Sequence, residues 1–333
     1  MKVVRLHGRG DLRIVEEAIP EAGEGSSLVR ITSVGICGSD LHWYTQGGIG
    51  DARLERPLVI GHEFAGTAQS GRLAGRRVAI DPADPCMTCP TCRRGLHHMC
   101  PQVAFAGHGV TDGALQEYIA WPTRLLFPLP DMISDADGAV LEPLGVAVHA
   151  IDLGRVRLGS SVIVVGCGPI GLLLIQAARA AGATVIVAVE PLAHRQDAAR
   201  RYGADVVLSP DEADQASLTS VIGDGVDVAF EAAGTDDALH VSLMATRPGG
   251  RVVELGIPDL DHTSFTAALA RRKGLTILMS RRMNDVYDRA ISLVENGRID
   301  VTSLISAHYP LDSVADAFDT AVARTGLKIV VDV

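Results

Sequence analysis

With 333 residues, 47% of them hydrophobic and 21% charged, the chain is long enough for two domains with substantial cores and has the composition of a globular protein. Its formal charge of −10 argues against nucleic acid or an anionic membrane surface as a partner, and no apolar run reaches the length of a membrane span. The opening MKVVRLHGRGDLRIVEE alternates and carries charge, unlike a signal peptide. Four of the six cysteines fall in one short cluster, which predicts metal binding in a reducing, cytosolic compartment rather than a disulfide framework.

From residue 1 to about 121 the pattern is one of short strands broken by Gly and Pro: 2–6, 12–16, 27–34, a strand running on from 66–67, 77–80 and 115–120. This predicts a compact β-rich domain. Within it GICGSDLHWY carries Cys37, Ser39, Asp40, His42, Trp43 and Tyr44, and VIGHEFAG carries His62 and Glu63. Taken singly, Cys37 reads equally as a buried thiol and His62 as a core imidazole. Trp43 reads equally as core packing and as an aromatic wall for a sugar. What raises these residues is the glycine on both flanks of Cys37 and before His62, together with the motifs that follow.

The next stretch is CMTCPTCRRGLHHMC, with Cys86, Cys89, Cys92 and Cys100. Two successive C-x2-C steps and a fourth cysteine eight residues on can close around one tetrahedral ion. Four thiolates leave no open position, so the expected site is structural zinc. Arg93 and Arg94 are placed to offset its charge, and His97 and His98 are expected to be exposed. The rival is an iron–sulfur cluster, although the gap before Cys100 does not fit a ferredoxin run. Glu142 in LEPLGVAVHA reads equally well as the cap or start of a helix.

After residue 142 strands alternate with helical segments. The strands are 162–165, 184–189, 206–208, 226–231, 250–255 and 275–279; the helices are 169–181, 193–202, 211–222, 236–246 and 266–273. Alternation of this kind predicts a parallel, doubly wound sheet. Its first unit is the most informative stretch in the chain: an apolar strand, then Gly166, Gly168 and Gly171 in G-x-G-x-x-G spacing with Pro169 and Ile170 between, then a helix, then a second strand ending on Glu190. The glycines permit a tight turn, a close approach of backbone to a pyrophosphate, and helix–strand packing. The helix N-terminus presents free N–H groups to the phosphates. Glu190 stands where an acid accepts hydrogen bonds from ribose hydroxyls and repels a 2′-phosphate, which favours NAD over NADP; Arg195 is the nearby cation able to accommodate that phosphate. Cys167, inside the loop, reads as a small filler. The tail has helical 286–295 and 311–323 and strands 305–309 and 328–333. It is expected to return to the first domain, because the nucleotide sheet is already complete.

Taken together, GICGSDLH (Gly35–His42), GHEFAG (Gly61–Gly66), the four-cysteine lobe, LEPLGVAVHA (Leu141–Ala150) and VVGCGPIGLL (Val164–Leu173) make the chain resemble the zinc-dependent medium-chain dehydrogenase family over essentially its whole length. Within that family it looks most like the polyol branch of sorbitol (L-iditol) and L-idonate 5-dehydrogenases, in which an acid at the Glu63 position and a Glu142–Pro143 pair both occur. The resemblance implies an α/β architecture: a GroES-like β-rich catalytic domain over 1–145, completed by 284–333, and a Rossmann NAD-binding domain over 146–283, with a catalytic zinc in the cleft between them. It implies two zinc ions per chain and NAD. Cys37 and His62 would ligate the catalytic zinc, with Glu63 or Glu142 as the third protein donor and the other holding the water.

By the same resemblance Ser39 and His42 form a proton relay and Arg282 contacts substrate, although Arg281 and Met283 replace the aromatic neighbours usual in that branch. If 281–282 end a strand, Arg281 and Arg282 point to opposite faces. The implied activity is oxidation of a secondary alcohol of a polyol or sugar acid to a ketose or keto-acid. Alternatives are another small alcohol such as threonine, or a non-catalytic dinucleotide-binding protein. The implied assembly is a homodimer or homotetramer, paired through strand 275–279.

Overall fold

The strand Ser26–Gly35 is the hub of the first sheet in a computed structural model that describes residues 1–259 and 262–333. Val29, Ile31 and Val34 are fully buried on it, while Leu28 is half-buried. It pairs antiparallel with Glu63–Ala68, with Tyr118–Pro122 and with the final strand Lys328–Asp332. The path through the sheet runs 126–128, 77–80, 63–68, 26–35, 328–332 and 305–310. These strands belong to a unit made of Met1–Glu142 and Asn284–Val333. Its core gathers Leu6, Ile31, Leu58, Phe64, Ile80 and Phe318, so residues from both ends of the chain share one apolar interior.

Two strands shift from their sequence expectation. The strand expected at 115–120 forms at Tyr118–Pro122, because the backbone of Leu115 is already engaged with Ile60 and Val4. The strand expected from 66 begins at Glu63, which puts that carboxylate on a fixed ladder opposite Gly35.

The second unit, Pro143–Met283, is a six-stranded parallel sheet in the order 206–208, 185–189, 161–165, 226–231, 246–254 and 276–279. That is the doubly wound order 3-2-1-4-5-6. The two central strands 161–165 and 185–189 are almost wholly apolar, as expected where helices cover both faces. The helix expected at 211–222 splits into a turn, Pro210–Glu212, and a helix, Gln215–Ile222. Each has its own acidic cap: Glu212 bonds the Ser209 N–H at 2.8 Å, and Asp214 accepts from the Ser217 N–H at 2.7 Å.

The alternative reading of Glu142 as a helix cap or start does not hold. The residue lies inside Asp135–Gly154, which carries the chain from one unit into the other. The start is set upstream by a capping box: the Ser134 hydroxyl accepts from the Asp137 N–H at 3.1 Å while the Asp137 carboxylate accepts from the Ser134 N–H at 3.2 Å. Among the described residues no helix is long and apolar enough to cross a membrane.

Candidate active site and metal lobe

Cys37 is the residue before the helix Gly38–Gln46, and its extended backbone lets the chain turn out of the central strand. Asp40, three residues on, closes that turn: its carboxylate accepts from the Cys37 N–H at 2.9 Å. The same side chain accepts from the Gly61 N–H at 3.1 Å and faces His62 Nδ1 at 3.3 Å. One buried acid therefore ties together the two loops that carry Cys37 and His62. Burial works against both of their charges, but the mutual attraction of Asp40 and His62 wins. It holds the Asp40 carboxyl below and the His62 ring above their ordinary values. With Nδ1 committed to Asp40, His62 has Nε2 left for a ligand, the usual carboxylate–histidine arrangement around a metal. Ser39 Oγ lies 3.5 Å from that Nε2. The spacing of Asp40, three residues from Cys37, is the sequence signal for its role.

One donor atom from each of Cys37, His62 and Glu63 lies within 4.8 Å of the others, on buried or half-buried side chains. This sulfur–nitrogen–oxygen set suits Zn²⁺, and three protein donors leave a position open for chemistry. Glu142 is not in that group of donors, but it is 4% exposed and stands close enough to feel the charges of His62, Glu63, Lys328 and Asp81. Burial pushes its carboxyl up to about 8, with Glu63 and Asp81 adding to the rise and His62 and Lys328 opposing it.

The four cysteines of the lobe converge as well. Sγ–Sγ separations are 3.6 Å for Cys86–Cys100 and 4.0 Å for Cys86–Cys92 and Cys89–Cys100. A zinc–sulfur bond of about 2.3 Å gives a tetrahedral edge of about 3.8 Å. The cage therefore fits one ion and is too tight for an iron–sulfur cluster. The backbone N–H groups of Cys89 and Cys92 each point at the preceding cysteine sulfur at 3.4 Å. Backbone hydrogen bonds at Thr88 and Cys89 draw the Cys86 thiol down to about 6, while burial pushes Cys92 up to about 12. His98, expected to be exposed, is buried, because the lobe folds its short helical turn inward. His97 is held by Asp285 at 2.9 Å, and Asn284 donates to the Gly95 carbonyl at 2.8 Å.

In the second unit, Gly166 has φ +94°, and a Cβ there would stand 2.9 Å from the Ala233 nitrogen. Gly168 is the cap of the helix Pro169–Ala180, whose first N–H groups are free to face an anion, with Pro169 at the position where proline is tolerated. A Cβ on Gly171 would collide with the Gly166 carbonyl oxygen. Replacing Gly171 by alanine is therefore expected to cost about 1–3 kcal/mol of stability from overpacking and to weaken dinucleotide binding. Isothermal titration with NAD checks this, and wild-type affinity would refute it.

Glu190 is not a solvated strand end. It is 3% exposed and folds back to accept from the Cys167 N–H at 2.7 Å and the Leu192 N–H at 3.0 Å. Each oxygen retains a second lone pair for a ribose hydroxyl. Arg195 Nη1 stands 3.7 Å from the Cβ position of Gly168, beside the loop. Cys167 is fully buried, and burial raises its thiol, with the Glu190 charge adding to the rise.

The candidate substrate contacts fare differently. Trp43 is 2% exposed and belongs to the first unit's core, edge-on to the His108 ring with centroids 5.5 Å apart, so the packing reading replaces the aromatic wall. Arg282 lies beyond the strand Thr276–Met279, in a loop, with φ +57°. The opposite-faces argument for Arg281 and Arg282 therefore lapses, because it needs extended backbone; Arg282 is half-buried and Arg281 exposed. His42 lies on the same helix as Ser39, three residues on and half-buried, which is neighbouring spacing on one helix face.

Comparison with known proteins gives two domain families: the alcohol dehydrogenase GroES-like domain over residues 23–131 and the zinc-binding dehydrogenase domain over residues 169–296. Sorbitol dehydrogenase of Bombyx mori is 34% identical over 340 residues, covering 98% of this chain and 97% of its own. Sorbitol dehydrogenase of Bacillus subtilis is 33% identical over 331 residues, covering 96% and 93%. Among solved structures, L-idonate 5-dehydrogenase of Escherichia coli superposes with a TM-score of 0.92 at 29% identity, covering all of this chain and 98% of its own.

Proposed function

The chain belongs to the zinc-dependent medium-chain alcohol dehydrogenases, among the polyol dehydrogenases, and within that family we propose that it oxidises a secondary alcohol of a polyol or sugar acid with NAD as acceptor, giving a ketose or keto-acid. The observation that carries this reading is the convergence of Cys37, His62 and Glu63 on one centre, in a chain that also has a complete glycine loop. In this reading Cys37, His62 and Glu63 would hold the catalytic ion, with Glu142 as a buried acid near His62 and Glu63, and Cys86, Cys89, Cys92 and Cys100 would hold the structural ion. Bound at the first centre, zinc supplies a Lewis acid for the substrate hydroxyl.

The protein's own residues do the rest. Asp40 fixes the tautomer and tilt of His62. Ser39, within reach of the His62 edge that faces the ion, takes the hydroxyl proton and passes it towards His42 and solvent. Gly166, Gly168 and Gly171 let the pyrophosphate lie on the first turn of Pro169–Ala180, and Pro169 and Ile170 build that turn. Glu190 selects ribose hydroxyls over a 2′-phosphate, with Arg195 beside it, and Arg282 contacts an acidic sugar. The edge position of Thr276–Met279, with Met279 67% exposed, supports pairing with a second copy, as a dimer or as half of a tetramer. The thiolate lobe supports a cytosolic location.

The test is a reduction assay with NAD and NADP over sorbitol, xylitol, L-idonate, D-gluconate and threonine. Turnover of a polyol or aldonate with NAD is expected. Turnover confined to threonine would overturn the substrate class, and turnover confined to NADP would overturn the role given to Glu190.

A further inference from the structure

Lys328 is among the largest fully buried side chains of the chain, at 1% exposure. It opens the final strand, which lies against the central strand through Val330↔Gly35. Its ammonium donates to the Ile36 carbonyl at 2.9 Å and is ion-paired with Glu63 Oε2. Among the described residues no other donor reaches that oxygen. Gly35 makes the contact possible: a Cβ there would collide with the Glu63 carboxylate and stand 2.9 Å from Lys328 Cε. Burying an ammonium is costly unless it is paired and hydrogen-bonded, and here one carboxylate and one carbonyl meet that need. The pair stands beside Glu142, whose carboxyl feels both members.

We propose that Lys328 is a positioning residue of the catalytic metal site: its ammonium grips one oxygen of Glu63, so that the carboxylate is presented to an ion shared with Cys37 and His62. The proposal rests on reading Cys37, His62 and Glu63 as a metal centre. A glutamate on a strand has three side-chain torsions to fix. The cation reaching across the central strand at Gly35 fixes them, as hydrogen-bonded outer groups do for ligands generally. The ammonium also offsets the negative charge that Glu63 brings to that buried volume.

The test is zinc content of purified protein under graded chelator, read by elemental analysis, with the four-cysteine ion as the internal control for folding. Wild type is expected to hold two ions per chain. Lys328→Met is expected to keep the lobe ion and to bind the second at least tenfold more weakly, and Lys328→Arg, which keeps the charge, to recover part of that loss. Lys328→Met holding both ions with wild-type resistance overturns the proposal and leaves the metal centre standing. Wild type holding only the lobe ion overturns the metal centre itself, and the proposal with it. Should Lys328→Met fail to fold, Cys37→Ala is compared with Cys37→Ala/Glu63→Gln, in which the second ion is already lost. Stripping Lys328 of its counter-charge should lower the thermal midpoint by several degrees, and an unchanged midpoint overturns the pairing.

Discussion

Replacing Cys37 by alanine is expected to lower turnover by a factor of about 10³ or more, equivalent to about 4 kcal/mol of lost barrier reduction, and to reduce zinc from two ions per chain to one. The protein around the mutation should survive. Asp40 grips the backbone N–H of residue 37, not its side chain, and the same carboxylate holds the Gly61 N–H and His62. Alanine at 37 keeps those three contacts, so the two loops stay joined and NAD binding in the other unit is unchanged. What disappears is one of three protein donors, and a site reduced to His62 and Glu63 loses the thiolate that suits zinc best. Paired assays of zinc content and initial rate decide the matter. Full zinc with unaltered turnover would mean that Cys37 takes no part in the chemistry.

The second large effect is structural. Cys100→Ser should cost the chain its other ion and open the segment from Cys86 to Cys100. That segment has almost no apolar interior of its own: Met87, Leu96 and Met99 are exposed, and Cys92, Cys100 and His98 are its buried residues. The sulfur cage stands in for a core, and structural zinc binding of about 10–16 kcal/mol is then folding energy for the lobe. Exposed Arg93 and Arg94 provide the readout. Trypsin should cut there in Cys100→Ser, and in wild type treated with strong chelator, while untreated wild type resists. The initial rate of freshly prepared variant should fall far less than in Cys37→Ala, because the lobe cysteines are not the donors at the catalytic centre. Equal protease resistance in variant and wild type would show that the lobe holds its shape without the ion.

Much of this organisation is legible in short windows of sequence. The turn at Gly166 needs φ +94°, and the helix that follows begins at a proline, so the loop announces itself in six residues. The lobe is equally local: three of its four cysteines sit three residues apart, which puts their sulfurs on one knuckle. Other features were not legible. Trp43 follows the ligand loop in sequence, yet its ring turns into the core, because the helix Gly38–Gln46 buries that face in the apolar interior of the first unit. His98 reads as exposed because four cysteines already satisfy the ion; the fold of the lobe buries it. The side on which Arg282 lies is not legible either: it depends on whether the backbone beyond Met279 stays extended, and at Arg282 it turns to φ +57°.

What the sequence alone determines is whatever is written in spacing: the dinucleotide turn, the sulfur cage, the alternation that makes a parallel sheet, and the family likeness of the motifs. Only the tertiary structure decided which acid stands with Cys37 and His62. Glu63 and Glu142 are both glutamates in apolar company, and nothing in their local windows ranks them. The ranking comes from three strands, 26–35, 63–68 and 328–332, that lie side by side although the last is far along the chain from the others. Their ladder sets Glu63 opposite Gly35 and brings Lys328 against it. A side chain's partner across a sheet is fixed by register between distant segments, and register is a property of the folded backbone.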